Sequence, residues 1–209
     1  SIEGVRYAKE NGITVLVTDH HLPGQVLPEV DAMVNPNLDS CAFPSKALAG
    51  VGVAFYLMMA LCVHMRKHNW FAQQGMQEPK LMELIDLVAL GTVADVVPLD
   101  ENNRILVHQG LQRIRAGKAR PGIQALIEVA KRDARRLVAS DFGFALGPRI
   151  NAAGRLDDMS FGVELLMCNN IHAARRMASE LDGLNQTRKE IEEGMKQEAM
   201  AFCERLQFG

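Results

Sequence analysis

The chain has 209 residues, 48% of them hydrophobic and 23% charged, with a formal net charge of −2. This is the profile of an ordinary soluble globule, and it excludes disordered, collagen-like and repeat-built chains. Aromatic residues make up only 5%, too few for a surface that binds single strands mainly by stacking bases on rings.

The near-neutral total conceals an uneven distribution. Between Arg113 and Arg136 eight basic residues face only Glu128 and Asp133, a net +6 that leaves −8 for the remaining residues. A local basic patch suits a polyanion held at one face, although a solvated helix face with extra arginines has the same composition. The four cysteines, Cys41, Cys62, Cys168 and Cys203, are widely spaced with no C-x-x-C pair. Neither a disulfide framework nor a zinc knuckle is expected, and a reducing cytoplasm fits best. There is no signal-peptide pattern. The longest uncharged run, Ala47 to Val63, has 17 residues, short of the roughly 20 that a membrane span needs. It predicts a buried helix, and no membrane partner.

In chain order, Glu3 to Glu10 predicts a short helix closed by Asn11-Gly12. Ile13 to Thr18 is an apolar, β-branched run without polar alternation, the pattern of a strand covered on both faces. Asp19-His20-His21-Leu22-Pro23-Gly24 breaks it, and a second strand is expected over Ala32 to Asn35, ended by Pro36. Together these predict a doubly wound α/β sheet, whose ligands bind beyond the carboxyl ends of the strands. From about Lys46 the chain reads as helical: Ala47–His68, Lys80–Leu90, Asn102–Ala116 and Gly122–Arg136, with Ser140 capping a turn into Phe142–Pro148. Ile171 to Leu206 places Met177, Leu181, Leu184, Ile191, Met195, Ala199, Phe202 and Leu206 at helical spacing. A helix of that length with nothing to lie against reads as a connector.

Three constellations could carry chemistry. Asp19, His20 and His21 follow the first strand, where a carboxylate and two imidazoles converge on the usual ligand crevice and suit Mn²⁺, Zn²⁺ or Fe. The alternative is a pair of surface histidines in a turn. Asp95 stands alone in the apolar stretch Gly91-Thr92-Val93-Ala94-Asp95-Val96-Val97-Pro98, on a loop after a helix. It needs a cation or hydrogen-bond donors, and capping the next helix would serve as well as metal ligation. In Gly147-Pro148-Arg149-Ile150-Asn151-Ala152-Ala153-Gly154-Arg155-Leu156, small residues would let backbone approach a ligand while two guanidiniums reach phosphate oxygens. The glycines and proline could equally be turn punctuation.

TDHH, GTVADVVPL and FALGPRINAAGRL, in that order, resemble the DHH phosphoesterases, most closely those acting as single-strand-specific 5′-to-3′ DNA exonucleases. The resemblance covers essentially the whole chain, including PNLDSCAFPSKALAGVGVAFYL and ELDGLNQTRKEIEEGM. A bare DHH is weak, whereas the three motifs in this order are specific. The resemblance implies that His20 and Asp95 bind one of two Mn²⁺ (or Mg²⁺) ions, that Asp19 supports the metal shell, and that His21 faces the scissile phosphate. It implies that Arg149, Asn151 and Arg155 border the DNA path, with Arg155 the principal phosphate contact. The implied activity is metal-dependent hydrolysis of single-stranded DNA in recombination and repair, in the cytoplasm. The implied partners, beyond the DNA, are replication or repair proteins such as single-strand-binding protein or a RecQ-type helicase. Two alternatives stand beside it: a DHH-family phosphoesterase acting on a small phosphate substrate, and a non-catalytic nucleic-acid-binding relative.

Members of this family carry a D-x-D-type motif and a metal-bridging Asp upstream of the DHH, and a smaller substrate-binding domain downstream. The chain shows neither. It is therefore expected to be an internal fragment of α/β class. Its first part is a DHH-type parallel sheet with flanking helices, incomplete at the N-terminus. A mostly helical portion and a long C-terminal connecting helix come after it. Residues 1–136 would be the later part of the catalytic domain, 137–170 the helical GPRINAAGR segment bordering the active site, and 171–209 the long connecting helix toward an absent DHHA1-type domain. Such a fragment is expected to be inactive and to hold at most one weakly bound ion.

Overall fold

Gly12 closes the first helix, α1 (Ile2–Glu10), with φ +72° and an amide that donates to Lys9 O at 2.9 Å. Glycine enters that left-handed geometry at no steric cost. The computed structural model describes residues 2–156 and 158–205, without the side chains of Arg155, Leu156 and Arg205. It divides into two compact units, residues 1–112 and 113–209.

In the first unit, β1 (Leu16–Thr18) pairs in parallel with β2 (Ala32–Val34), in the register Leu16↔Ala32, Val17↔Met33, Thr18↔Val34. Asp31 fixes the entry to this pair: its Oδ2 accepts from Val15 N at 2.8 Å and its Oδ1 from Lys9 Nζ at 3.1 Å. β1 is shorter than expected and is not covered on both faces. Val17 is half-buried, while Leu16 and Thr18 are exposed, Leu16 by 56%. The apolar run reflects an outer face on which no described element lies.

The core of this unit is helical. Leu48, Val53, Phe55, Ile85, Val88 and Leu106 form one buried cluster, drawn from the segment before α2 and from α2 (Gly50–Lys67), α4 (Ile85–Ala94) and α5 (Glu101–Arg115). A short α3 (Trp70–Gln73) and a 3₁₀ turn (Leu81–Leu84) connect α2 to α4. The expectation that α2 is buried all round is corrected: Val53, Phe55 and Cys62 are buried, but Met59, Leu61 and Val63 lie exposed on the other side. Helix α4 extends past Leu90 through Ala94, so Asp95 stands in the turn directly after the helix, at its C-cap. The close approach of α5 to α4 requires Gly110, where a Cβ would stand 2.3 Å from Ala89 Cβ and 2.7 Å from Ile85 O.

In the second unit, α6 (Pro121–Val129) stops well before Arg136. Lys131 takes φ +54°, and its amide and that of Arg132 close back on Glu128 O and Ile127 O. Asp133 then starts a 3₁₀ turn (Ala134–Arg136) by accepting from Arg135 N. A short α7 (Ala139–Asp141) leads through a π-helical turn (Phe142–Leu146) into α8 (Gly147–Leu156), followed by α9 (Ser160–Met167) and α10 (Ile171–Arg205). The first part of α10 is not free. It packs on α6 and α8 with Ala174, Ala178 and Leu181 fully buried, and Arg175 pairs with Glu128 of α6 at 2.7 Å. Its later part leaves Ile191, Met195, Met200 and Phe202 exposed. Among the described residues no helix is long and apolar enough to cross a membrane.

Gly110→Ala is expected to lower the stability of the chain by about 2 kcal/mol or more, because the added methyl meets helix backbone that cannot move aside. Urea unfolding checks this. A loss below about 0.5 kcal/mol would mean that α4 and α5 are not packed at this distance.

Candidate functional site

The end of β1 delivers three successive polar side chains. Asp19 N donates to Val34 O at 3.0 Å, continuing the strand pairing by one residue. The Asp19 carboxylate then organises the turn. Its Oδ1 accepts from His20 N at 2.7 Å, His21 N at 3.1 Å and the His21 ring Nδ1 at 2.7 Å. Partial burial pushes the Asp19 carboxyl up, but the His21 ring and the two amides outweigh it and hold the carboxyl below its ordinary range. An ionised carboxylate is acceptor-only, so His21 carries its proton on Nδ1 and turns Nε2 outward. The His21 side chain is 76% exposed.

Two asparagines that the sequence reading did not single out hold this turn from the other strand. Asn35 Nδ2 donates to His21 O at 2.9 Å and Asn37 Nδ2 to His20 O at 2.7 Å, while Asn35 Oδ1 accepts from Asn37 N. The available signal was Asn35-Pro36-Asn37 directly after a strand parallel to the one bearing the histidines. Asparagine supplies both donor and acceptor for such backbone clamping.

His20 turns inward. Its ring lies at the start of α2, where a Cβ on Gly50 would stand 3.4 Å from His20 Cδ2. Its Nε2 is 3.3 Å from Asp95 Oδ2. Asp95 does not cap the following helix; Asp100 does so, accepting from Asn103 N at 2.9 Å. Asp95 sits instead at the carboxyl end of α4, where helix carbonyls and carboxylate together favour a cation. The next residue, Val96, is 85% exposed with φ +60°. That conformation costs a β-branched residue about 1–3 kcal/mol.

His20 Nε2 and Asp95 Oδ2 are chemically a mixed N/O donor pair suited to a divalent ion. Ligands about 2.1 Å from an octahedral ion stand roughly 3 Å apart, close to the separation found. Among the described residues no group of three or more His, Cys, Asp or Glu could hold a metal. Among those residues, His20 and Asp95 offer two donors.

Arg149, Asn151 and Arg155 lie on α8 in the second unit. The motif is a helix whose small residues serve packing: Ala152 and Ala153 are fully buried where α8 meets α10. The Arg149 guanidinium is engaged within the unit, by Asp182 at 2.8 Å and Ala145 O at 2.6 Å. Asn151 is exposed. The side chain of Arg155 lies outside the described residues.

Comparison with known proteins points the same way. The N-terminal domain model of the DHH family matches residues 1–92. The chain is 70% identical over 204 residues to the single-stranded-DNA-specific exonuclease RecJ of Dickeya dadantii, and 67% identical to that of Escherichia coli. Each alignment covers 98% of the chain and 35% of the relative. Among solved structures it is similar to exonuclease RecJ bound to manganese, with TM-score 0.77 and 35% identity over 95% of the chain and 47% of that structure. RecJ of Thermus thermophilus in complex with Mn²⁺ gives TM-score 0.76 and 36% identity over 94% and 28%. The chain belongs to the DHH family, and the members to which it is similar are RecJ exonucleases. It spans about a third of the length of these curated relatives.

The hydrogen bonds to Asp19 set a pH dependence. A carboxyl held below its unfolded value of about 3.9 stabilises the turn fully above that pH, and the contribution fades as pH falls through the lower folded value. Carbon-detected NMR titration of Asp19 should give a midpoint below about 3.9, moving up in His21→Ala. A midpoint at or above the ordinary value would contradict the hydrogen-bonded turn.

Proposed function

We propose that this chain carries part of the catalytic site of a metal-dependent, single-strand-specific DNA exonuclease that works in the 5′-to-3′ direction. The observation that carries the reading is the meeting of His20 Nε2 and Asp95 Oδ2, 75 positions apart in sequence, 3.3 Å apart at the carboxyl edge of a parallel strand pair. The similarity to RecJ exonucleases and to their Mn²⁺- and Mg²⁺-bound structures supports it. A role in recombination and repair in the cytoplasm, beside a single-strand-binding protein or a RecQ-type helicase, belongs to the same proposal.

In this reading His20 and Asp95 hold a divalent ion. The chemistry such an ion would supply there is Lewis-acid polarisation of a phosphoryl oxygen and acidification of water. The chain's own residues do the rest. Asp19 fixes the orientation of the His21 ring through its Nδ1 and leaves Nε2 facing out, toward where a phosphate would lie. Asn35 and Asn37 hold both histidine carbonyls, which keeps the two rings from trading places. On α8, Arg155 is the proposed phosphate contact with Asn151 beside it. Arg149, tied to Asp182 and Ala145 O, holds α8 against α10.

The donor count argues that the 209-residue chain by itself does not hold a two-metal centre. Two ions need about eight or more ligand positions between them, with carboxylates offsetting their charge, and the described residues offer His20 and Asp95 with Asp19 behind them. Calorimetric titration with Mn²⁺ is expected to show at most one weak site and no nucleotide release from 5′-labelled single-stranded DNA. Two tight sites, or release by contaminant-free protein, would overturn this count. In the full-length Dickeya dadantii relative, exchanges matching His20→Ala and Asp95→Ala are expected to lower Mn²⁺-dependent cleavage at least about a hundredfold with the fold intact. Near-normal turnover in either would refute the metal assignment.

A further inference from the structure

Three successive residues before α2 fasten both sides of the meeting between His20 and Asp95. Lys46 reaches back to the loop after β2, where its ammonium donates to Pro36 O and to Cys41 O, each at 2.6 Å. No backbone amide among the described residues donates to either carbonyl. The neighbours of Lys46 reach the other way, into the segment that follows Asp95. Ser45 Oγ donates to Asp100 Oδ2 at 2.6 Å, and Ala47 O accepts from Asn103 Nδ2 at 2.7 Å. Asn103 Nδ2 also donates to Pro98 O at 2.8 Å.

Each contact bears on one member of the pair. The loop that Lys46 holds opens with Pro36 and Asn37, and Asn37 Nδ2 donates to His20 O at 2.7 Å. Asn35, directly before that loop, holds His21 O. The Pro98–Asp100 segment lies just beyond Asp95 and the left-handed Val96. Ser45, Lys46 and Ala47 therefore connect the backbone that carries His20 to the backbone that carries Asp95. The separation of 3.3 Å between His20 Nε2 and Asp95 Oδ2 depends on both connections. The three residues do not contribute alike. Ser45 and Asn103 are buried and share in the packing of the first unit. Lys46 is exposed and fills no core space, so what it contributes is the charge-assisted grip on two carbonyls, stronger than a neutral hydrogen bond.

We infer that Lys46 is a positioning residue for the metal-binding pair. By holding Pro36 O and Cys41 O it keeps Asn37 on His20 O, and through Asn37 it keeps the His20 ring within chelating distance of Asp95. The inference rests on the reading of His20 and Asp95 as metal ligands and adds a residue that acts through another. Partners of this kind, which orient a ligand without touching the ion, typically change metal affinity about ten- to a hundredfold.

The test uses the 209-residue chain. In the metal-free protein the His20 ring resonances, followed by proton–carbon NMR and assigned with His20→Ala, should move in Lys46→Met. They should stay in place in Lys9→Met, which removes an exposed ion pair at the entry to the same strand pair. Mn²⁺ affinity, read by electron paramagnetic resonance, should fall about tenfold or more in Lys46→Met. A double-mutant cycle with Asn37→Ala separates action through the loop from an effect of charge across space. The combined variant should bind Mn²⁺ no more weakly than Asn37→Ala alone. Circular dichroism verifies that each variant folds, and removing the exposed Lys46 side chain leaves no core cavity. Unmoved His20 resonances in Lys46→Met, an unchanged Mn²⁺ affinity, or losses that add in the combined variant would overturn the inference. Mn²⁺ binding insensitive to His20→Ala would instead overturn the metal reading, and the metal-free resonances would still decide whether Lys46 positions His20.

Discussion

Parallel pairing of two three-residue strands fixes where the chemistry of this chain can stand. With Leu16, Val17 and Thr18 in register with Ala32, Met33 and Val34, Asp19 leaves the strand pair beside Asn35. The next two carbonyls are within reach of Asn35 and Asn37. The turn therefore has one conformation, set from both strands, and the two histidines cannot exchange roles. His20 is directed toward α2 and Asp95, and His21 toward solvent with its tautomer set by Asp19. A slip of one residue in the pairing would send each side chain to the opposite face and part His20 from Asp95.

The second partner in that meeting is placed by helix packing. Asp95 is positioned because α4 packs on α2 and α5 through Val88, Val53 and Leu106, with Gly91 and Gly110 admitting the neighbours. A Cβ on Gly91 would fall 2.8 Å from Val51 Cγ1. The carboxylate at the end of α4 and the strained Val96 after it are thus held by buried apolar contacts together with the amide bonds of Asp95 and Val96 to Gly91 O and Val93 O. Apolar packing is stiff enough to hold such a conformation at a functional position. A cation that joined His20 and Asp95 would add a direct bond between the strand edge and the helix end, coupling ion binding to stability.

Much of this was legible in the sequence, and the limits of that legibility have physical causes. The apolar run before Asp19 showed a strand, and its break showed where a ligand edge would fall, because a strand projects its next residues beyond the sheet. The helices were found to within a few residues where apolar spacing was regular, as in α5 and α10. Burial was misjudged at β1 and at the outer side of α2, since composition reports what a surface could bury and not whether anything lies against it. The GPRINAAGR stretch was expected within a helical segment, with its glycines and proline open to a turn; it is α8, whose alanines are strong helix formers that let it press against α10. Asn35 and Asn37 were missed because clamping a backbone carbonyl across a strand pair leaves no periodic trace.

The central claim is that the inward histidine, and not its neighbour, is the imidazole that takes a divalent ion together with Asp95. Electron spin-echo envelope modulation of Mn²⁺ bound to the 209-residue chain measures directly whether a nitrogen coordinates the ion. The account predicts a single imidazole nitrogen coupling that disappears in His20→Ala and persists in His21→Ala. A coupling that survives loss of His20, or that depends on His21 instead, would contradict it.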